Sequence, residues 1–117
     1  MRVHLLLVTI IFAAACGGDS TPTPPVTTNK LWDVFTVGDQ YSPTFLTLAV
    51  GDTARWNFAG GSDNMGHNVR FFPRITGSPA DINVFKTGTI SRVFTAKGTF
   101  NYVCDVHPGM QAAVIVQ

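Results

Sequence analysis

The sequence predicts an all-β domain, a sandwich of two sheets, on three observations. Apolar and polar residues alternate over short stretches, with Leu46, Leu48 and Val50 on one face and then Ala54, Trp56 and Phe58. Turn-forming residues separate such stretches, as in Gly51-Asp52 and in Gly60-Gly61-Ser62-Asp63-Asn64. Composition agrees: Phe is abundant at 9 residues, Gly reaches 11 and Pro 7, and Glu is absent. Aromatic and branched residues suit a pleated, half-buried surface, and no amphipathic helical period competes with that reading.

With 117 residues the chain has room for one folded domain. Met1-Arg2-Val3-His4 is a short positive start, and Leu5 to Ala15 is an apolar run too short to span a bilayer that closes in small residues. This is the pattern of a secretory signal peptide over residues 1–15. The ending Ala13-Ala14-Ala15-Cys16-Gly17 resembles the lipobox of bacterial lipoproteins, which implies cleavage before Cys16 and a lipid on its sulfur. Ala13 stands where that motif usually has Leu, and cleavage after Ala15 by the ordinary signal peptidase is the alternative. Residues 16–30 are rich in Pro and Thr with almost nothing to bury, so they form an extended, disordered tether. About fourteen residues at about 3.1 Å each would reach roughly 40 Å, enough to hold a domain clear of a membrane. The folded domain is expected over residues 31–117.

From Leu31 onward the pattern is strands. Leu46 to Val50 and Ala54 to Phe58 read as a hairpin about Gly51-Asp52 with one buried face. A loop follows over residues 59–64, and then His67, Val69 and Phe71 share one face of a strand. Pro73 to Lys86 has no clear period and is expected as a loop with a helical turn. Ile90 to Phe94 reads as a strand, although Arg92 falls on its inner face and spoils the alternation. Phe100, Tyr102 and Cys104 alternate on one face after Gly98, and Ala112 to Val116 is a last apolar strand. Trp56 and Tyr102 are expected in the core, with Trp56 as a second-choice member of an electron path. There is no internal repeat.

The chemistry concentrates in Tyr102-Val103-Cys104-Asp105-Val106-His107-Pro108-Gly109-Met110. A thiolate, an imidazole and a thioether are brought together by one tight loop at a strand end. Thiolate and thioether are soft donors that suit Cu(I), imidazole also suits Cu(II), and two His with one Cys and a weak axial Met make a blue-copper electron-transfer site. The second imidazole must come from elsewhere, and His67 is the one other His after the leader. The metal ligands are therefore read as His67, Cys104, His107 and Met110, holding one type 1 copper ion. Met65 is expected to pack against the site rather than to ligate. Two cysteines in an exported chain would ordinarily suggest a disulfide. Here Cys16 borders the cleavage site and Cys104 sits inside the ligand motif, so no bridge is expected.

These residues resemble the cupredoxin family, which includes plastocyanin, azurin and amicyanin, over roughly Leu46 to Val116. The spacing of Cys104, His107 and Met110 looks like that of amicyanin, and Met65-Gly66-His67-Asn68 looks like the azurin stretch around its first His ligand. The resemblance implies a Greek-key sandwich with copper at one end. It further implies that the Gly66 carbonyl lies near copper opposite Met110. Asn68 would tie its strand to the Cys104 loop, with its backbone N–H toward the Cys104 sulfur, and His107 would expose its ring edge as the electron port. Two residues depart from the family pattern. Asp105 stands where a small neutral residue is usual, and Ala112-Ala113 where Gly often follows the Met. Strand alternation directs Asp105 away from the metal, so its effect should be modest.

Three function classes can be weighed. A carrier of single electrons needs a closed, prearranged site. Copper delivery or resistance, the runner-up, favours exposed Met- and His-rich tracts, and the tether contains neither. A multicopper enzyme needs further His ligands, and a binuclear centre needs a second Cys in the loop, so no catalytic residues are assigned. The net charge of +1 includes Arg2 of the leader, and no basic run points to nucleic acid. Near-neutral charge makes strong steering improbable. The expected partners are a redox donor and acceptor docking on an apolar patch around His107. The expected state is a monomer, periplasmic or membrane-anchored by a lipid on Cys16.

Overall fold

Among residues 29–117, which the computed structural model describes, nine strands and no helix form two facing sheets. The expected signal peptide, Cys16 and the tether up to residue 28 lie outside the described residues. The strands are β1 (Leu31–Val37), β2 (Gln40–Ser42), β3 (Phe45–Leu48), β4 (Thr53–Phe58), β5 (His67–Phe71), β6 (Ile82–Phe85), β7 (Gly88–Val93), β8 (Gly98–Val103) and β9 (Gln111–Val116). One sheet has the order β2-β1-β4-β7 and the other β3-β9-β8-β5-β6. The all-β sandwich is as the alternation predicts.

The pairing of β3 with β4 is not. The two strands lie in different sheets: β3 runs parallel to β9 with Leu46 opposite Val114, and β4 runs parallel to β1 with Trp56 opposite Val34. Both strands bury one face into the same core, each from its own layer. Alternation reports a buried face and carries no information on the partner. The Gly51-Asp52 turn therefore crosses between sheets, and Gly51 (φ +94°) and Asp52 flank Phe94 with backbone bonds of 2.8 and 2.9 Å.

The expected helical turn between Pro73 and Lys86 is absent; that stretch contains β6, which pairs antiparallel with β5 through a register shift. Of its four residues only Ile82 is buried, so the strand leaves no period in the sequence. Arg92 explains its own intrusion on an inner face. Its guanidinium donates to the carbonyls of Ala80 (2.7 Å) and Asp81 (2.8 Å), and so holds the loop before β6 against β7. A long cation is the side chain that can reach two carbonyls from there.

The core is aromatic. Trp56, Tyr102, Phe94 and Phe100 are fully buried, and Val34, Val69 and Val114 fill between them. Ring contacts link Phe100 to Phe94 (5.3 Å), Phe94 to Phe71 (6.1 Å), Phe71 to Tyr102 (5.9 Å) and Tyr102 to both Trp56 (5.6 Å) and Tyr41 (4.8 Å). The pairs are edge-on or tilted, the arrangement the ring quadrupole favours, at about 0.5–1.5 kcal/mol each beyond area burial. The linked rings include Tyr102, two residues before Cys104, so the thiol follows directly on a buried aromatic layer.

Candidate metal centre

Cys104 follows β8, whose inner face carries Phe100 and Tyr102, so the pleat delivers the thiol to the end of the core. The chain then turns back in a loop closed at its base. The Cys104 N–H donates to the Met110 carbonyl (2.9 Å), and the Met110 N–H donates to the His107 carbonyl (3.1 Å). Gly109 takes φ +85°, a conformation glycine reaches without a Cβ penalty, and this lets the loop close in so few residues. His67 opens β5 on the neighbouring strand and is completely buried.

His67, Cys104 and His107 meet: their ligand atoms all lie within 4.8 Å of one another. Cys104 Sγ is 3.6 Å from His107 Nδ1 and 4.0 Å from His67 Nδ1. An ion bound at about 2.0 Å to nitrogen and about 2.3 Å to sulfur, with trigonal angles, would separate those donors by about 3.7 Å. The three side chains thus frame a position for one first-row metal ion. Met110 is buried, 3% exposed, where the same loop rejoins β9. The other methionine, Met65, is 52% exposed in the loop before β5.

Burial is the main cause that lowers the His67 pKa, with the His107 charge adding to it, and a neutral imidazole is what a metal ligand must be. His67 Nε2 has no hydrogen-bond partner. The His107 pKa moves up, first through its bond to Cys104 and then through Asp63 and Asp39.

The surrounding residues hold this frame. Asn68 Oδ1 accepts from the Asp105 N–H (2.7 Å) and its Nδ2 donates to Asp105 Oδ2 (2.8 Å), so β5 is tied to the Cys104 loop as the sequence implied. Tyr41 donates its hydroxyl proton to the Asn68 carbonyl, and burial pushes that phenol's pKa up. Asp105 turns outward, and its other oxygen accepts from Arg70 Nε (2.7 Å). Arg70, then Asn68, hold its carboxyl below the usual carboxylate range. Gly66 is required by space: a Cβ there would lie 2.6 Å from the Phe85 carbonyl oxygen, and its φ is +86°.

The expected exposed edge of His107 is narrow, since the residue is 6% exposed. Gly61 and Asp63 lie against the ring, and the outer nitrogen Nε2 faces Asp63 Oδ1 at 3.2 Å and Asp39 Oδ1 at 3.4 Å. The rim here carries two carboxylates, Asp39 and Asp63. The sequence carried a signal for this in two aspartates near turn glycines, Gly38-Asp39 and Gly61-Ser62-Asp63, but nothing in it says that both turns fold onto one ring.

Comparison with known proteins agrees with this geometry. The copper-binding plastocyanin/azurin family matches residues 36–117. Amicyanin from Paracoccus denitrificans is 34% identical over 80 residues, 67% of this chain; the chain spans 59% of that relative's length. An oxidised methionine-to-leucine variant of amicyanin superposes with a TM-score of 0.63 at 29% identity, covering 73% of this chain and 80% of that one. A copper-containing nitrite reductase from Thermus scotoductus reaches the same TM-score at 22% identity over 22% of its length, a likeness of fold alone.

Proposed function

Because the chain belongs to the plastocyanin/azurin family of copper-binding proteins, we propose that it is a blue-copper protein that carries single electrons between redox proteins outside the cytoplasmic membrane. His67, Cys104 and His107 would supply the three strong donors and Met110 the weak axial one. Copper, when bound, supplies a one-electron couple between Cu(II) and Cu(I). The observation that carries the reading is the buried convergence of two imidazole nitrogens and one thiol at the end of an aromatic core. A frame held by strand ends and loop bonds would limit rearrangement on electron transfer. The buried His67, Cys104, His107 and Met110 would bind and orient the ion and exclude water from it.

An enzymatic role would need further copper ligands or a substrate position. Among the described residues the group of His, Cys and carboxylate side chains with metal-ligand spacing is His67, Cys104 and His107. The export reading stays with the leader pattern of residues 1–15, and lipid attachment with Cys16. Mass spectrometry of the protein from its host tests the latter: a diacylglycerol on Cys16 supports it, and a free thiol there removes it.

Stopped-flow mixing with an inorganic reductant, beside competition with a copper chelator, separates an electron carrier from a copper-delivery protein. The carrier reading expects fast one-electron exchange and slow loss of copper. Fast loss with slow exchange would favour delivery.

A further inference from the structure

We propose that Asp63, seconded by Asp39, is a positioning residue that grips His107 by its outer nitrogen, so that the ring presents Nδ1 to copper and the oxidised ion is favoured. The inference rests on the blue-copper reading above. The His107 Nε2 lies 3.2 Å from Asp63 Oδ1 and 3.4 Å from Asp39 Oδ1. A neutral imidazole carries one proton. Donated from Nε2 to a carboxylate, that proton leaves the Nδ1 lone pair free for a metal, and the ligand gains electron density.

The carboxylates are aimed there by a folded loop. Asp63 Oδ1 also accepts from the Met65 N–H (2.9 Å). Asp39 is fixed by Ser62, whose N–H reaches Oδ1 (3.1 Å) and whose hydroxyl reaches Oδ2 (2.7 Å). The Asn64 N–H donates to the Gly61 carbonyl (3.0 Å), with Asn64 itself left-handed at φ 58°. Gly61 lets the loop lie on the ring. A Cβ at that position would fall 2.8 Å from His107 Cε1, 2.9 Å from Nε2 and 3.2 Å from Asp39 Oδ1. His67 supplies the internal contrast, since its Nε2 is buried with no partner at all. The two imidazoles are thus held unequally: one is gripped by two anions, the other is fixed by packing. Anions beside a ligand favour the more highly charged state of the metal.

The test compares the wild type with the double variant Asp39→Asn, Asp63→Ala and with Asp63→Asn alone. Nitrogen-resolved NMR of the metal-free protein, at a pH where His107 is neutral, should place the His107 proton on Nε2 in the wild type, and the double variant should lose that preference. In the copper-loaded protein the double variant should favour Cu(II) over Cu(I) about tenfold less, a rise in potential of about 59 mV for a one-electron couple. Asp63→Asn keeps an acceptor but loses the charge, so it should retain the tautomer and still raise the potential. Either readout of the double variant left at its wild-type value would overturn the proposal. The NMR arm needs no copper, so its outcome is independent of the blue-copper reading, which would instead fail on a wild type that binds copper without colour.

Discussion

Each end of the sandwich is closed by loop aspartates, and the two ends use them differently. At the end away from the metal, Asp52 accepts from the Lys30 N–H (2.8 Å), the Ala49 N–H (3.1 Å) and the Trp32 indole N–H (3.0 Å). The Lys30 and Trp32 bonds join the start of β1 to the β3–β4 crossing, and the Ala49 bond closes the crossing itself, so the carboxylate satisfies two backbone N–H groups that no strand partner reaches. At the metal end, Asp63 and Asp39 face a ring nitrogen of His107, and Asp105 braces Asn68. One end uses carboxylates to complete the fold, and the other uses them to hold ligands. Substitutions at the two ends should therefore separate stability from redox behaviour.

The largest separation comes from Cys104→Ser. The visible charge-transfer band needs the thiolate, so absorbance should vanish while circular dichroism still reports a folded sandwich. A blue Cys104→Ser protein would remove the metal assignment. The opposite outcome is expected for Asp52→Asn, which should lower the denaturation midpoint and leave colour and potential unchanged. Its pH dependence follows from the sign of the shift. Bonds from the Lys30 and then the Ala49 N–H hold the Asp52 carboxyl below its ordinary value. Its contribution is present above the unfolded value, about 3.9, and disappears as pH falls through the lower folded value. The wild type should therefore lose stability below about pH 4 more steeply than Asp52→Asn. Equal acid limbs in the two unfolding curves would contradict that role.

A finer separation lies within the metal end. Met110→Gln replaces a soft thioether by a harder amide oxygen, which stabilises Cu(II), so voltammetry should give a lower potential with colour retained. Met65→Gln, at an exposed position, should leave the potential where it was. A drop for Met65→Gln with none for Met110→Gln would reverse the assignment of the two methionines. The smallest effect is expected for Arg70→Ala. Its ion pair with Asp105 is 40% and 44% exposed, and such a pair contributes at most about 1 kcal/mol. Chemical denaturation should find a change no larger than that, because Asn68 still holds Asp105.

What the sequence made legible follows the same division. Buried faces were readable, because a strand with one face in the core must alternate: Ala54, Trp56 and Phe58 are all buried, as are Phe100, Tyr102 and Cys104. Partners were not readable, since β3 and β4 alternate just as a hairpin would while lying in separate sheets. β6 was invisible because one buried residue makes no period. At the site, the short spacing of Cys104, His107 and Met110 brought local donors into view, and His67 followed as the one His left after the leader. The environment of His107 was hidden. Its grip comes from two loops that are distant in sequence and meet only in the folded chain, so the two aspartates beside its ring were not readable.

The central claim is a single blue-copper site, and titration of the metal-free protein with Cu(II), followed by visible absorption, tests it most directly. The account predicts an intense thiolate-to-copper band that saturates at one equivalent and bleaches on addition of one electron per protein. Copper binding without that band, or saturation at two equivalents, would contradict it.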